Sequence, residues 1–217
     1  MEVIDLTQTI SPDMPVYPGT ERPRLSQATT IERDGFAEKL LTMYSHTGTH
    51  IDAPGHILPG GATLDRFDAG KFVGAGLVVD LAGRTGPGIA GVVGMAELEP
   101  YAGGIPEADF VLFRTGWSSR WGSEGYFSGF PVLSPEAARW LCGLGLSGVG
   151  YDCISADPVG SDGLPIHRIL LGGGLVIVEN LRGLDALVGR SFVFSCLPLA
   201  IEDADGSPVR AVGIILS

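Results

Sequence analysis

Three of the four histidines in this 217-residue chain fall in one short segment, His46-Thr47-Gly48-Thr49-His50-Ile51-Asp52-Ala53-Pro54-Gly55-His56. That segment restricts the backbone more than any other. On a helix His46 and His50 would share a face, but Asp52 would lie about 200° round from His50 at 3.6 residues per turn. In extended chain the even spacing puts His46, His50, Asp52 and His56 on one face, yet at about 3.3 Å per residue the outer two histidines would stand roughly 33 Å apart. The segment must therefore bend. Gly48 accepts backbone angles closed to other residues and Pro54 fixes its own, so the bends belong at Gly48 and at Pro54-Gly55. A curled strand-to-loop path then gathers the polar groups.

Two imidazoles and a carboxylate suit a divalent ion such as Zn²⁺ or Mn²⁺, and three protein ligands leave a position for water, as catalytic rather than structural sites do. His46, His50 and Asp52 are expected to form such a site. The fourth histidine, His167, follows a turn-rich stretch, residues 157–165, and Glu179 ends the apolar run 175–178. A carboxylate that continues a buried strand is costly unless it is paired or metal-bound. Either residue alone is more often structural than functional. The triplet of His46, His50 and Asp52 has no such bland explanation.

The remaining chain reads as α/β. Short apolar runs at 77–81, 110–113, 148–151 and 175–178 have the pattern of strands buried on both faces. Residues 3–6 predict a further strand. Residues 25–31 and 37–44 predict a hairpin turning at Arg33-Asp34-Gly35, and 192–201 with 209–216 a closing hairpin around Asp205-Gly206. Ser134-Pro135-Glu136 opens a helix with a cap, a proline at the first position and an early acid; 95–99 and 166–171 predict shorter helices. With no repeat or linker, the pattern predicts one domain over residues 1–217 with a mixed sheet.

The formal charge of −11, from 14 basic and 25 acidic residues, argues against a nucleic-acid partner. No apolar stretch is long enough to span a membrane, and the first residues lack a signal-peptide pattern. Three cysteines, an odd count without ligand-like spacing, fit free thiols in a reducing cytoplasm.

The string from His46 to His56 resembles the signature of the metal-dependent cyclase family, which includes bacterial kynurenine formamidase and isatin hydrolase. The resemblance extends to Asp5-Leu6-Thr7, Met14-Pro15-Val16-Tyr17-Pro18-Gly19, Arg114-Thr115-Gly116-Trp117, His167 and Glu179-Asn180-Leu181. It implies a swivelling β/β/α domain assembled as homodimers or homotetramers, and a small-molecule substrate. It also implies one or two metal ions: the first on His46, His50 and Asp52, the second on Asp52, Glu179 and His167. His56 would be the proton donor and acceptor, and Tyr17 the ring that stacks on substrate. Kynurenine formamidases typically carry Trp in a Trp-Pro-Gly-Asp string where this chain has Tyr17-Pro18-Gly19-Thr20. The implied activity is hydrolysis of a small amide, ester or lactam, most like an arylformamidase. The competing expectations are a metal-dependent cyclase or lyase, and a metal-binding protein without catalysis.

Overall fold

The four apolar runs become adjacent strands at the centre of one large sheet. The computed structural model describes residues 1–83 and 91–216. Along the chain lie β1 (Glu2–Asp5), β2 (Arg24–Thr29), the one-turn helix α1 (Ile31–Asp34), β3 (Glu38–Thr42), β4 (His50–Asp52), β5 (Val73–Asp80), β6 (Val92–Val93), α2 (Met95–Leu98), β7 (Phe110–Arg114), β8 (Val132–Leu133), α3 (Pro135–Cys142), β9 (Gly148–Tyr151), α4 (Pro165–Gly172), β10 (Val176–Glu179), β11 (Phe192–Ser195), β12 (Gly206–Pro208) and β13 (Val212–Ile215). The main sheet runs β1-β13-β11-β5-β7-β9-β10-β4-β12. Its centre, β5-β7-β9-β10, is parallel. Both flanks are antiparallel, which makes the sheet mixed, as expected.

Alternate residues of the central strands enter two cores, one on each face. Val79, Val111, Phe113, Val149 and Ile177 pack on the side covered by α3 and α4. Val78, Phe110, Leu112, Val176 and Val178 pack on the other side with Leu6, Ile51 and Phe194. This two-sided burial is why these strands read as continuous apolar runs instead of alternating ones. Past its first strand the chain returns to the other half of the sheet: Arg182 N donates to Leu6 O at 3.0 Å, and Thr7 bridges to Leu181. The sheet is thereby curled.

Two local expectations are corrected. Strands β2 and β3 pair as the expected hairpin, but instead of a simple turn they are joined by helix α1, which contains Arg33 and Asp34 and ends at Gly35. Thr30 caps it by accepting from Arg33 N, and Gly35 closes it at φ +81°. The second correction concerns Asp205-Gly206. Strands β11 and β13 do pair, Val193 opposite Ile214, but the chain between them first crosses to the far edge of the sheet. There Gly206–Pro208 forms β12 against β4. Gly206, read as a turn residue, and Pro208 sit at an edge where strands tolerate them.

Candidate metal centre

Strand β4 is three residues long and lies between β10 and β12, antiparallel to both. His50 stands opposite Glu179, and Asp52 opposite Ile177 and Gly206. Ile51 points into the core shared with Val178, so the side chains of His50 and Asp52 emerge together on the opposite face. His46 reaches them from the preceding loop, which bends at Gly48 with φ +68°. The predicted bend at Pro54-Gly55 is a short 3-10 turn, Pro54–His56, which brings His56 back over His46 with ring centroids 3.9 Å apart. The fourth histidine sits on the first turn of α4. That helix has no capping side chain of its own next to it; the Asp157 carboxylate accepts from Ile166 N at 3.0 Å and His167 N at 2.9 Å instead.

The polar groups meet in a buried knot. His46 Nδ1 lies 2.7 Å from Asp52 Oδ1, and His50 Nε2 lies 3.3 Å from the same oxygen. The other Asp52 oxygen faces His167 Nε2 at 3.7 Å. Glu179 spans the same two rings, with Oε2 3.4 Å from His50 Nε2 and Oε1 3.2 Å from His167 Nε2. Asp52 is 1% and Glu179 4% exposed. Ligand atoms of His46, His50 and Asp52 converge within 4.8 Å, and so do those of Asp52, His167 and Glu179.

The orientation of the rings tests whether this set suits a cation. His50 Nδ1 donates to the Gly48 carbonyl at 2.9 Å, and His167 Nδ1 donates to Asp157 at 2.7 Å. Each ring thus spends its Nδ1–H outside the knot, and a neutral imidazole then presents an Nε2 lone pair to carboxylate oxygens. Acceptor facing acceptor in a buried site requires a proton or a metal ion between them. Without an ion, protons on the rings would meet that need. Burial works against charge on His50, but Asp52 and Glu179 outweigh it and push its pKa up to about 10. Burial likewise opposes charge on His167, and Asp157 and Glu179 push it up to about 10. Burial also disfavours the Asp52 anion, yet His46 and His50 hold it well below the usual carboxylate range. A divalent cation can replace those protons, and the buried oxygens and imidazoles are the donors that zinc and manganese accept.

His56 differs from the other three. Burial sets its pKa below the ordinary imidazole value, and its nearest carboxylate is Asp205, at 3.4 Å from Nδ1. Asp205 also receives His46 Nε2 at 3.0 Å and the Ser45 hydroxyl at 2.9 Å. Reading the sequence did not find Asp205, Asp157 or Gly206 as site residues. A Cβ on Gly206 would overlap the His46 ring, so only glycine leaves room for that imidazole. The signal that could have found Asp205 and Gly206 was two strand partners needed by the short β4, which no local pattern displays.

The knot forms the floor of a cavity of about 510 Å³, walled by Met14, Tyr17, Tyr44, Ile154 and Leu164. Tyr17 lies in its wall, and its hydroxyl accepts from Gly160 N at 3.2 Å. Arg114 is elsewhere, paired with Asp80 at 2.7 Å.

The pattern that defines the Cyclase family matches residues 4–158, which include His46, His50, Asp52 and His56. This chain belongs to that family. The likeness continues past the matched span. The cyclase-family chain is 33% identical over 210 residues to the kynurenine formamidase of Bacillus mycoides strain KBAB4, covering 96% of this chain and 95% of that one. Its fold matches isatin hydrolase A from Ralstonia solanacearum with a TM-score of 0.88 at 27% identity, over 99% and 92% of the two chains. It also matches a potential metal-dependent hydrolase with cyclase activity, with a TM-score of 0.80 at 30% identity over 98% and 96%. The cyclase-family α/β fold with a mixed sheet is thus shared along the whole chain.

Proposed function

We propose that this protein is a metal-dependent hydrolase of a small amide, ester or lactam, most like an arylformamidase. The observation that carries the reading is the pair of Nε2 atoms, of His50 and His167, aimed at two shared and buried carboxylates. The names of its relatives, a formamidase and an isatin hydrolase, point to the same bond class, a carbonyl joined to nitrogen.

His46, His50 and Asp52 are the proposed holders of one divalent ion, Zn²⁺ or Mn²⁺; Asp52, His167 and Glu179 are the proposed holders of a second. A bound ion there supplies Lewis acidity, polarising a substrate carbonyl and lowering the pKa of water from about 15.7 toward about 7. The chain's own groups do the rest. Asp52 and Glu179 each offer one oxygen to either donor group, which suits them to balance one ion or two. His56, with Nδ1 toward Asp205, moves the proton at Nε2: it takes one from the attacking water and returns it to the leaving nitrogen or oxygen. Tyr17, its hydroxyl tied to the 158–164 loop, presents a ring on which an aryl substrate stacks.

The proposed setting is the cytoplasm. All three cysteines are free thiols, as a reducing compartment allows, and no helix among the described residues is long and apolar enough to cross a membrane. The proposed assembly is a homodimer or homotetramer. The hairpin of β2 and β3 is not hydrogen-bonded to the main sheet and exposes Ile31, Phe36, Leu40 and Leu41. A two-stranded hairpin is marginal alone in water, and a second copy of the chain is the simplest cover for these apolar side chains.

The test is turnover of N-formylkynurenine, isatin and simple aryl esters before and after chelation, in ¹⁸O-labelled water. The expected result is loss of activity on chelation, recovery with Zn²⁺ or Mn²⁺, and label in the acid product. Turnover indifferent to chelators overturns the metal reading. Metal-dependent product without label assigns the chain to the cyclase or lyase class, and a metal-loaded protein inert on the whole panel favours a binding role.

A further inference from the structure

The Gly48 carbonyl that fixes His50 receives a second donor, Asn180 Nδ2, at 2.8 Å. Asn180 directly follows Glu179 and is 2% exposed. Every polar group it carries is engaged. Its backbone N donates to Cys153 O at 2.9 Å, its carbonyl accepts from the Thr49 hydroxyl at 2.7 Å, and its Oδ1 accepts from the Tyr126 hydroxyl at 2.7 Å. Tyr126 is fully buried, and its own carbonyl accepts from Trp117 Nε1 at 2.9 Å. The backbone of Asn180 is left-handed, φ +59°, a region that few residues other than glycine enter and that asparagine tolerates best. That turn at the end of β10 is what sends the side chain across to the loop leading into β4.

A peptide carbonyl only accepts, so the Gly48 oxygen dictates that His50 carries its proton on Nδ1 and shows Nε2 to Asp52 and Glu179. Were the carbonyl free to swing, the ring could rotate or change tautomer, and Nε2 would leave the carboxylates. Asn180 and the Thr49 contact hold the 48–49 peptide from one side, and Tyr126 holds Asn180 from the other.

We propose that Asn180 and Tyr126 are positioning residues of the metal centre, which fix the tautomer and rotation of the His50 imidazole through the Gly48 carbonyl. The inference rests on the metal-site reading above. Neither residue acts on substrate: Asn180 borders the cavity but gives it almost no surface, and Tyr126 gives it none. The direct hydrogen-bond partner of a metal-ligating histidine is typically worth about 10–100-fold in metal affinity, and Asn180 holds the carbonyl that is that partner for His50.

The experiment titrates metal-stripped wild type, Asn180→Gly and Tyr126→Phe with Zn²⁺ and, separately, Mn²⁺, and then measures KM on the loaded enzymes. Glycine keeps the left-handed backbone and removes only the side chain, and phenylalanine removes one oxygen. The expected result is a dissociation constant raised about 10–100-fold in Asn180→Gly and by a smaller factor in Tyr126→Phe, with KM within about twofold of wild type. Variants that melt lower but bind metal as tightly as wild type overturn the inference, because that is the behaviour of residues that only support the fold. If Asn180→Gly does not fold, Tyr126→Phe decides alone. Wild type that binds neither ion overturns the metal-site reading itself, a result distinct from wild type and variants binding equally well.

Discussion

Four histidines in one cluster have unlike surroundings, and the surroundings separate the duties proposed for them. His50 and His167 each give Nδ1–H to an acceptor and turn Nε2 to the shared carboxylates. His46 has a carboxylate against each nitrogen, Asp52 on one side and Asp205 on the other. His56 alone of the four has its pKa set down by burial, a direction that favours the neutral ring its proposed acid–base role needs. His56→Ala is therefore expected to lower kcat by about 10²–10⁴-fold while metal content by elemental analysis stays at the wild-type level. A variant with wild-type turnover would reduce His56 to a cap on its own turn. At this scale the sequence was informative where residue types cluster: His46, His50 and Asp52 stand out by spacing, His56 takes its proposed role from the family resemblance, and the structure brings His167 and Glu179 to the same point. Asp157, Asp205 and Asn180 did not show, because their roles come from contacts across more than a hundred residues, or, for Asp157, from a helix start that looks like an ordinary turn.

Elements divide in the same way. The central strands were legible because burial on both faces demands unbroken apolar runs, and α3 because Ser134 and Pro135 announce it. Strand β5 begins at Val73, earlier than its apolar run, because residues 73–76 pair with β11, and Gly76 breaks the apolar pattern there by leaving space for the Phe192 ring. Strand β4 was legible only as the extended part of a curled strand-to-loop path, its bounds being set by pairing with β10 and β12, and β12 was invisible because Gly-Ser-Pro carries no strand signal apart from its pairing with β4. Close packing sets limits on β9 as well. A Cβ on Gly150 would come within 2.6 Å of Leu112 Cδ2 and 2.7 Å of Leu181 Cδ1, both in a filled core. Gly150→Ala is expected to destabilise the protein by about 1–3 kcal/mol through overpacking, read as a lower denaturant midpoint with unchanged slope. An unchanged midpoint would mean that this core is looser than its contacts indicate.

Across the whole molecule the apolar surface is unevenly spread. Leu40 is 60% and Leu41 53% exposed on β3, in a hairpin whose chain continues through Tyr44, in the cavity wall, to His46. Replacing both leucines by aspartate is expected to shift wild-type dimers or tetramers to monomers in sedimentation velocity, with the secondary structure retained. Wild type that sediments as a monomer at micromolar concentration would remove the oligomer proposal. The centre itself draws on residues far apart in the chain: β4 needs β10 on one side and β12 on the other before Asp52, Glu179 and Asp205 can face the histidines. A growing chain on the ribosome therefore displays three of its imidazoles long before residues 176–208 exist to complete their surroundings. The proposed ligand set is thus complete only once the late strands β10 and β12 have closed on β4, and the proposed ion can find its full setting no earlier than that.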